Sequence, residues 1–313
     1  MSDIDKINRN SWFIIANPTS GNRNFSKRWK EIQQLLNNKN LDYSFAFSQF
    51  SKHEIELVQN AIQKGFRNII SVGGDGTLHN VVHGIMVQTY TKTSDITIGV
   101  IPLGTGNDWI KTYHIPNHIE KAIEIINNRK TVLQDIGVLE TENKSISYFN
   151  NVAGIGYDGY IVSKLKSLKR FGTISYVLAG LYGLLFYKKS TFKIIFDDKI
   201  IKTNCLMVIF GICKFSGGGM QFTKDVNSAD GLLDISIAKN LTLIDLVLNL
   251  PKLYSGKIVD HKKVATYKTK EIAVIPQNSK PFIQADGELI GTRNIKVKIL
   301  EKAVRFCINE LKS

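Results

Sequence analysis

The stretch NIISVGGDGTLHNVVHGI, residues 68–85, decides the fold of this chain. The apolar run at 68–72 predicts a buried strand, and the spacing of apolar residues from about 78 to 87 predicts a helix. The glycines of GGDGT lie between them, where the strand would turn into the helix. Glycines at such a corner let a ligand approach the backbone closely and direct N–H groups at phosphate oxygens.

Strand and helix patterns alternate on both sides of this stretch, up to about residue 130. The predicted strands are 13–16, a segment near Phe45, 68–72 and 96–101, and the predicted helices are 25–36, 52–64 and 78–87. This alternation indicates a parallel, doubly wound α/β sheet. Ligands bind such sheets at loops that follow the carboxyl ends of the strands.

The pattern changes after residue 131, where short β-rich segments dominate. They are 132–139, 147–152, 192–196, 205–213, 232–238, 271–275 and 295–300, with helical patterns at 174–186 and 243–250. We therefore predict an α/β domain at 1–131 and a β-rich sandwich domain at 132–301, sharing a cleft. The tail, 302–313, includes a strand-like stretch at 303–308 that could join either domain, and completion of the first domain is one of the two possibilities.

Length and composition fit an ordinary two-domain globular protein. The chain has 313 residues, of which 43% are hydrophobic and 22% charged, and its net charge of +14 predicts an anionic partner. Three cysteines without a CxxC pair favour a reducing compartment, and the polar N-terminus lacks a signal-peptide pattern. The longest nearly apolar run, 174–187, is shorter than the roughly 20 residues of a membrane-spanning helix.

Glycine clusters follow three predicted strands of the first domain: NPTSG at 17–21, GGDGT at 73–77 and LGTGND at 103–108. Three such clusters at successive strand ends predict a phosphate-binding site. The sequence contains neither the P-loop string nor the HRD and DFG motifs of protein kinases. A GxGxxG string at 154–159 lacks the acidic residue about 20 positions later that binds a dinucleotide ribose, so we discount it.

The motifs, taken in order, resemble the diacylglycerol kinase catalytic-domain family of lipid kinases, in particular its soluble bacterial branch. GGDGT alone is shared with NAD kinases and phosphofructokinases, whereas the whole series is specific. The matching segments are 17–21, GGDGTLHNVVHGI at 73–85, PLGTGNDWIK at 102–111, Asp135, NNVAGIGYDG at 150–159, NSADGLLD at 227–234 and ADGE at 285–288.

The resemblance implies an NAD kinase-like nucleotide-binding domain followed by a β-sandwich, with ATP and Mg²⁺ between them. The residues that would contact ATP are Asn17, Pro18, Thr19, Ser20, Gly21, Ser48, Gly74, Asp75, Gly76, Thr77, Leu78, His79, Asn80 and Thr105. Asp75, Asp108 and Asp135 would form the acidic network that holds Mg²⁺, partly through water. A second, structural cation would bind the Asn227 carbonyl, the Asp230 carboxylate and the Leu232 carbonyl.

Phosphoryl transfer also needs a group that accepts the proton of the acceptor hydroxyl. Asp286 and Glu288 of ADGE are the candidates, at positions i and i+2 around a glycine turn. In a strand, these two positions would face the same side. Our first choice is Asp286, with Glu288 assisting or exchanging roles. The alternative is that ADGE is only a hairpin turn with solvated acids.

The sequence departs from the family pattern after GGDGT. Most members have Asn-Glu or His-Glu where this chain has His79-Asn80, and His83 stands where Asn is usual. The missing carboxylate at position 80 removes a nucleotide or metal contact. We expect His79 and His83 to be a structural pair rather than metal ligands.

The predicted activity is ATP- and Mg²⁺-dependent phosphorylation of a membrane lipid, with diacylglycerol giving phosphatidic acid as the default. The alternatives are an NAD kinase-like enzyme, a kinase of sphingoid bases, ceramide or phosphatidylglycerol, and a silent nucleotide sensor. The basic run at 163–170 before the apolar run at 174–187 predicts transient contact with an anionic leaflet. We expect a cytoplasmic protein at the inner face of the membrane and no nucleic-acid partner. A homodimer is left open.

Overall fold

A computed structural model describes residues 10–21, 24–165, 180, 183 and 185–309 of the chain. It divides into two compact units, Met1–Gln134 with Lys302–Ser313, and Asp135–Glu301. We call them the N-terminal and C-terminal units and describe each separately.

The N-terminal unit is an α/β structure with a parallel sheet, as the alternating pattern predicted. Its strands are β1 (Trp12–Ala16), β2 (Tyr43–Phe47), β3 (Asn68–Gly73) and β4 (Thr97–Pro102), and its helices are α1 (Phe25–Asn38), α2 (His53–Gln63), α3 (Asp75–Val87), α4 (Asp108–Thr112) and α5 (Ile119–Asn128), with a 3-10 turn at Thr93–Asp95. The strands lie in the order β2-β1-β3-β4, all parallel. All six residues of β3 are buried, as expected for a strand covered on both faces.

The C-terminal unit is built from antiparallel strands. They are β5 (Thr131–Thr141, which begins in the N-terminal unit), β6 (Ile146–Phe149), β7 (Val152–Gly156), β8 (Ser190–Phe196), β9 (Lys199–Gly211), β10 (Phe215–Ser216), β11 (Met220–Gln221), β12 (Leu233–Lys239), β13 (Val264–Thr269), β14 (Glu271–Pro276), β15 (Phe282–Ala285), β16 (Glu288–Thr292) and β17 (Ile295–Cys307). Its helices are α6 (Tyr157–Leu165), α7 (Leu243–Leu248) and α8 (Leu250–Ser255), with a 3-10 turn at Lys257–Asp260.

The long strand β9 organises this unit. Its first half pairs with β8, and its second half pairs with β7 and β12. Residues 199–204 are exposed or partly buried, whereas 205–211 are all buried, so the strand passes from the surface of the unit into its core.

Several element boundaries differ from the sequence prediction. The predicted strand 147–152 is interrupted at Asn150 and Asn151, which separate β6 from β7. The segments 295–300 and 303–307 belong to one strand, β17, in which Lys302 has a positive φ of 50°. Its end pairs in parallel with β4 through Arg305 and Phe306, in the N-terminal unit.

The predicted helix at 243–250 is two short helices, since Pro251 lies in the first turn of α8, where its missing N–H costs least. Most of the basic run 163–170 and of the apolar run 174–187 lies outside the described residues. Among the helices that the structure describes, none is long and apolar enough to cross a bilayer.

Candidate active site

Three glycine-rich loops of the N-terminal unit lie side by side, because β1, β3 and β4 are neighbouring parallel strands. The loop after β1 is held to β3 and α3: the Asn17 N–H donates to the Val72 carbonyl (3.0 Å), and the Asn17 side-chain amide donates to Thr77 Oγ1 (3.3 Å). Ser20 Oγ also lies 3.3 Å from Thr77 Oγ1. The structure thus brings together the NPTSG and GGDGT segments.

The glycines permit close approach of these loops. A Cβ on Gly104 would lie 2.5 Å from the Cα of Gly74, and a Cβ on Gly21, whose φ is +78°, would lie 2.5 Å from the Leu103 carbonyl oxygen. Helix α3 begins at Asp75, directly after Gly74, so the N–H groups of its first turn lie at the same edge. Converging loops and a helix N-terminus form an environment that suits phosphate groups.

Two carboxylates border these loops. A Cβ on Gly106 would lie 3.0 Å from Asp75 Oδ2 and 3.9 Å from Asp108 Oδ2. Asp75 Oδ1 accepts the Trp109 N–H (3.3 Å), and Asp108 Oδ1 lies 2.6 Å from Lys111 Nζ. Hard oxygen donors beside a phosphate-binding edge fit Mg²⁺, which usually retains waters and takes few protein ligands. Within the described ranges, no cluster of three or more His, Cys, Asp or Glu side chains could hold a metal.

The predicted ATP-contacting residues differ in accessibility. Thr19, Gly21 and Thr105 are exposed, and Asn17, Pro18, Ser20, Ser48, Gly74, Asp75, Gly76 and Asn80 are partly buried. Thr77, Leu78 and His79 are buried. Leu78 and His79 therefore present their side chains to the interior of the unit, and only their backbone is suited to contact a ligand at this edge.

A buried carboxylate that the sequence analysis missed lies next to Asn80. Glu54, at the start of α2, is 2% exposed, and its Oε2 accepts the side-chain amide of Asn80 (3.0 Å). A carboxylate thus lies beside position 80, but it belongs to the neighbouring helix and is buried. The available signal was an acid at the start of an amphipathic helix, which usually indicates only a favourable helix dipole interaction.

His79 and His83 form a ring pair on α3, with centroids 6.3 Å apart. Burial, together with the charges of His79 and Lys52, lowers the pKa of His83 to about 4. His83 is therefore neutral near pH 7.

The ADGE segment of the C-terminal unit is a two-residue hairpin turn between β15 and β16. Asp286 and Gly287 both have positive φ, 49° and 79°, as a type I′ turn requires. Strand geometry, in which Asp286 and Glu288 would face the same side, therefore does not apply here, because Asp286 is a turn residue.

The Asp286 carboxylate binds the backbone at the junction of β6 and β7. Its Oδ2 accepts the Asn150 N–H (3.0 Å), and its Oδ1 accepts the N–H groups of Asn151 (3.0 Å) and Val152 (3.1 Å). This carboxylate fixes the turn that carries Glu288.

A second polar link reaches the same turn from α6. Gln284 donates its side-chain amide to the Asp158 carboxylate, and its Oε1 accepts the Gly287 N–H (2.8 Å). Burial raises the pKa of Asp158 to about 6, against the opposing effect of the hydrogen bond from Gln284. The sequence analysis missed both Asp158 and Gln284.

The NSADGLLD loop is fastened by Asp135. This fully buried carboxylate accepts the Gly231 N–H at Oδ2 (2.7 Å), and the Asp135 N–H donates to the Ser228 carbonyl (2.8 Å). Asp135 belongs to the C-terminal unit, whereas Asp75 and Asp108 belong to the N-terminal unit.

One residue of the predicted structural cation site, Asp230, already pairs with a lysine. Asp230 accepts the Leu232 N–H at Oδ1 (3.1 Å), and its Oδ2 lies 3.0 Å from Lys268 Nζ. The Asn227 side chain accepts the Ala229 N–H (3.1 Å). Lys268 also donates to the Asp225 carbonyl (3.1 Å), so any divalent cation bound through Asp230 would share that carboxylate with an ammonium group.

The GxGxxG string, 154–159, spans the end of strand β7 and the start of helix α6. The space beside its glycines is occupied by other parts of the chain rather than open to a ligand. A Cβ on Gly156 would lie 2.6 Å from the Leu206 carbonyl oxygen, and one on Gly159 would lie 2.4 Å from the Phe282 carbonyl oxygen. Strand β7 is also antiparallel to both neighbours, unlike the strands of a dinucleotide-binding βαβ unit.

Comparison with protein families agrees with this architecture. A model of the diacylglycerol kinase catalytic domain matches residues 11–139, and a model of the YegS C-terminal NAD kinase beta sandwich-like domain matches residues 151–308. The chain belongs to the diacylglycerol kinase catalytic-domain family and is a lipid kinase.

Individual relatives cover nearly the whole chain. YtlR of Bacillus subtilis (strain 168), whose name places it among lipid kinases without stating a lipid, is 28% identical over 302 residues, 90% of this chain and 94% of that protein. A diacylglycerol kinase of Staphylococcus carnosus (strain TM300) is 28% identical over 280 residues, 89% of this chain and 88% of that protein.

Solved structures share the fold. A diacylglycerol kinase from Bacillus anthracis str. Sterne has a TM-score of 0.72 at 19% identity, covering 96% of this chain and 97% of that one. An NAD kinase from Archaeoglobus fulgidus in complex with ATP has a TM-score of 0.52 at 14% identity, covering 96% of this chain and 94% of that one. The predicted fold class is confirmed.

Proposed function

We propose that this lipid kinase transfers the γ-phosphoryl group of ATP to the hydroxyl of a membrane lipid, and that diacylglycerol is converted to phosphatidic acid. The observation that supports the proposal most strongly is that the three glycine loops, Asp75 and Asp108 lie close together at one edge of the sheet in the N-terminal unit. Diacylglycerol is favoured by the name of the Staphylococcus carnosus relative, and ATP by the ligand of the Archaeoglobus fulgidus NAD kinase.

In this proposal, the loops at 17–21, 73–77 and 103–108 bind the phosphates through backbone N–H groups and the side chains of Asn17, Ser20 and Thr77. Asp75 and Asp108 hold Mg²⁺, which neutralises phosphate charge when bound. Because the phosphates are anionic, this arrangement also needs positively charged side chains. We assign this role to Lys111, which lies beside Asp108.

The lipid hydroxyl oxygen attacks the γ-phosphorus, the bond from that phosphorus to the β,γ-bridging oxygen breaks, and ADP leaves. We propose Glu288 as the group that accepts the hydroxyl proton. Asp286, our first choice from sequence, is assigned a positioning role instead, because its two carboxylate oxygens accept three backbone N–H groups. Asp135 is assigned to the NSADGLLD loop that it fastens, rather than to direct metal binding.

The acceptor is best identified with a substrate panel. The full chain is incubated with [γ-³²P]ATP and Mg²⁺ in parallel over diacylglycerol, a sphingoid base, ceramide, phosphatidylglycerol and NAD. We expect label in phosphatidic acid. Label in another lipid product would replace diacylglycerol as the substrate, and label in NADP with none in lipid would overturn the proposal.

We also propose that the protein contacts anionic membranes peripherally, consistent with its net charge of +14. A substrate that resides in a bilayer has to be reached at the bilayer surface.

A further inference from the structure

Helix α7 of the C-terminal unit exposes an apolar face. Ile244, Val247 and Leu248 are 70%, 50% and 74% exposed. They occupy positions i, i+3 and i+4, so they lie on one side of the helix. Three neighbouring large aliphatic side chains at this exposure form a patch rather than scattered surface residues.

The helix is held firmly, so this exposure is not an effect of fraying. Thr242 and Asp245 form a capping box, and Asp245 Oδ2 lies 2.5 Å from Lys263 Nζ. On the opposite side Leu246 is buried in a core cluster with Leu241. The apolar face is therefore fixed in an outward orientation.

Basic residues are frequent in the chain segment that contains this face. From residue 239 to 263 the chain carries five lysines, 239, 252, 257, 262 and 263, and two aspartates, 245 and 260, a net charge of 5 − 2 = +3. Asp245 is paired with Lys263, and Asp260 with Lys224 (3.2 Å). Lys252, Lys257 and Lys262 are exposed. An exposed apolar face in a segment of net positive charge with exposed lysines is complementary to a layer of anionic lipid headgroups.

A second apolar segment covers the same core cluster. Tyr187 packs against the cluster that contains Leu246. The residues before it, Leu185 and Phe186, are exposed, and exposed Lys188 follows. Two segments with apolar and basic exposed residues thus pack on the same core cluster.

We propose that Ile244, Val247 and Leu248 insert into the headgroup region of an anionic bilayer, with Lys252, Lys257 and Lys262 on the lipid phosphates. The inference builds on the proposed function, since a kinase of bilayer lipids must dock where its substrate lies. Helices that bind in this way reach about 5–10 Å into the interface.

The test is flotation of the full chain with vesicles of phosphatidylglycerol and phosphatidylcholine, without ATP. We expect the triple variant Ile244→Gln, Val247→Gln, Leu248→Gln to bind at least about tenfold more weakly. Lys252→Gln with Lys257→Gln should weaken binding about fivefold per lysine at low salt and much less at high salt. The matched control is Ile200→Gln, also strongly exposed, on a hairpin whose turn carries Asp197 and Asp198, and it should bind as the wild type does.

Activity separates this proposal from the proposed function. The triple variant should lose activity on diacylglycerol in vesicles and keep it on diacylglycerol in detergent mixed micelles. Wild-type binding by the triple variant, with unchanged thermal unfolding, would overturn the docking proposal. The docking proposal would also be overturned if sedimentation showed a dimeric wild type and a monomeric triple variant with unaltered vesicle binding. That result would assign the apolar face to contact with a second copy of the chain. If the wild type binds vesicles through this face but phosphorylates no lipid, docking stands and only the proposed function fails.

Discussion

The Asp286 carboxylate accepts the backbone N–H of Asn151 at 3.0 Å, joining two segments that are 135 residues apart in the chain. Asn150 and Val152 donate to the same carboxylate. The bonds attach the ADGE turn to the break between β6 and β7. A carboxylate used in this way holds its hairpin in place, and Glu288 begins the strand that follows.

The two acids of ADGE should therefore respond differently to substitution. Asp286→Asn keeps one acceptor oxygen in place of two and should lower both activity and the free energy of unfolding, the latter by about 1–3 kcal/mol. Glu288→Gln should lower kcat by about 10²–10⁴-fold with little change in unfolding. Chemical denaturation and steady-state kinetics of both variants decide the matter. Normal kcat in Glu288→Gln would show that the proton acceptor is another group.

We expect the amide of Asn80 and the carboxylate of Glu54 to be exchangeable without loss of stability only when both residues are changed. Asn80→Glu introduces a carboxylate about 3 Å from the buried carboxylate of Glu54, so we expect the free energy of unfolding to fall by about 1–3 kcal/mol. Glu54→Gln combined with Asn80→Glu restores one donor and one acceptor and should recover most of the loss. A double variant no more stable than Asn80→Glu alone would show that the pair does not interact as described.

Asp158 should make stability depend on pH. Its folded-state pKa of about 6 is above its ordinary value of 3.8, so the folded protein retains the proton to higher pH than the unfolded chain. The contribution of this group to stability therefore falls as pH rises from about 4 to 6 and is constant above that range. Asp158→Asn lacks this loss and should gain stability relative to wild type over that interval. Denaturation of both proteins at pH 4.5 and 7.5 measures the difference, and an equal difference at the two values would refute the assignment.

Gly104 should tolerate no side chain. Gly104→Ala places a methyl group 2.5 Å from the Gly74 Cα, so the loops must separate. We expect a loss of about 1–3 kcal/mol in unfolding free energy and a raised KM for ATP. Gly291→Ala is the control, because its nearest neighbour would be 3.8 Å away. Equal KM values in the two variants would argue against a role of the loop contact in ATP binding.

The parts of this structure that sequence predicts are those with local signals. The apolar run at 68–72 indicated β3, and the glycine clusters marked the loops that meet beside Thr77 and Gly104. Contacts between residues that are distant in the chain leave no local pattern in the sequence. Neither the contact of Asp286 with residues 150–152 nor that of Glu54 with Asn80 follows from spacing, because each depends on how strands or helices pack.

Positive φ values were a further source of error. The same-side arrangement of Asp286 and Glu288 assumed strand geometry across the glycine, whereas the φ of 49° makes Asp286 itself part of the turn. Lys302, at 50°, lies within β17, which the sequence analysis divided into two segments. A glycine in the sequence indicates where a positive φ can occur, whereas an Asp or a Lys that adopts a positive φ gives no such indication.

The central claim is that Asp75 and the glycine loops bind ATP for transfer to a lipid hydroxyl. The most direct measurement is transfer of label from [γ-³²P]ATP to diacylglycerol by wild type, Asp75→Asn and the matched control Asp95→Asn, an exposed acid of the same unit. We predict labelled phosphatidic acid from wild type and Asp95→Asn, and a loss of about 10²-fold or more in Asp75→Asn. Undiminished labelling by Asp75→Asn, or no labelled lipid from the wild type, would contradict the account.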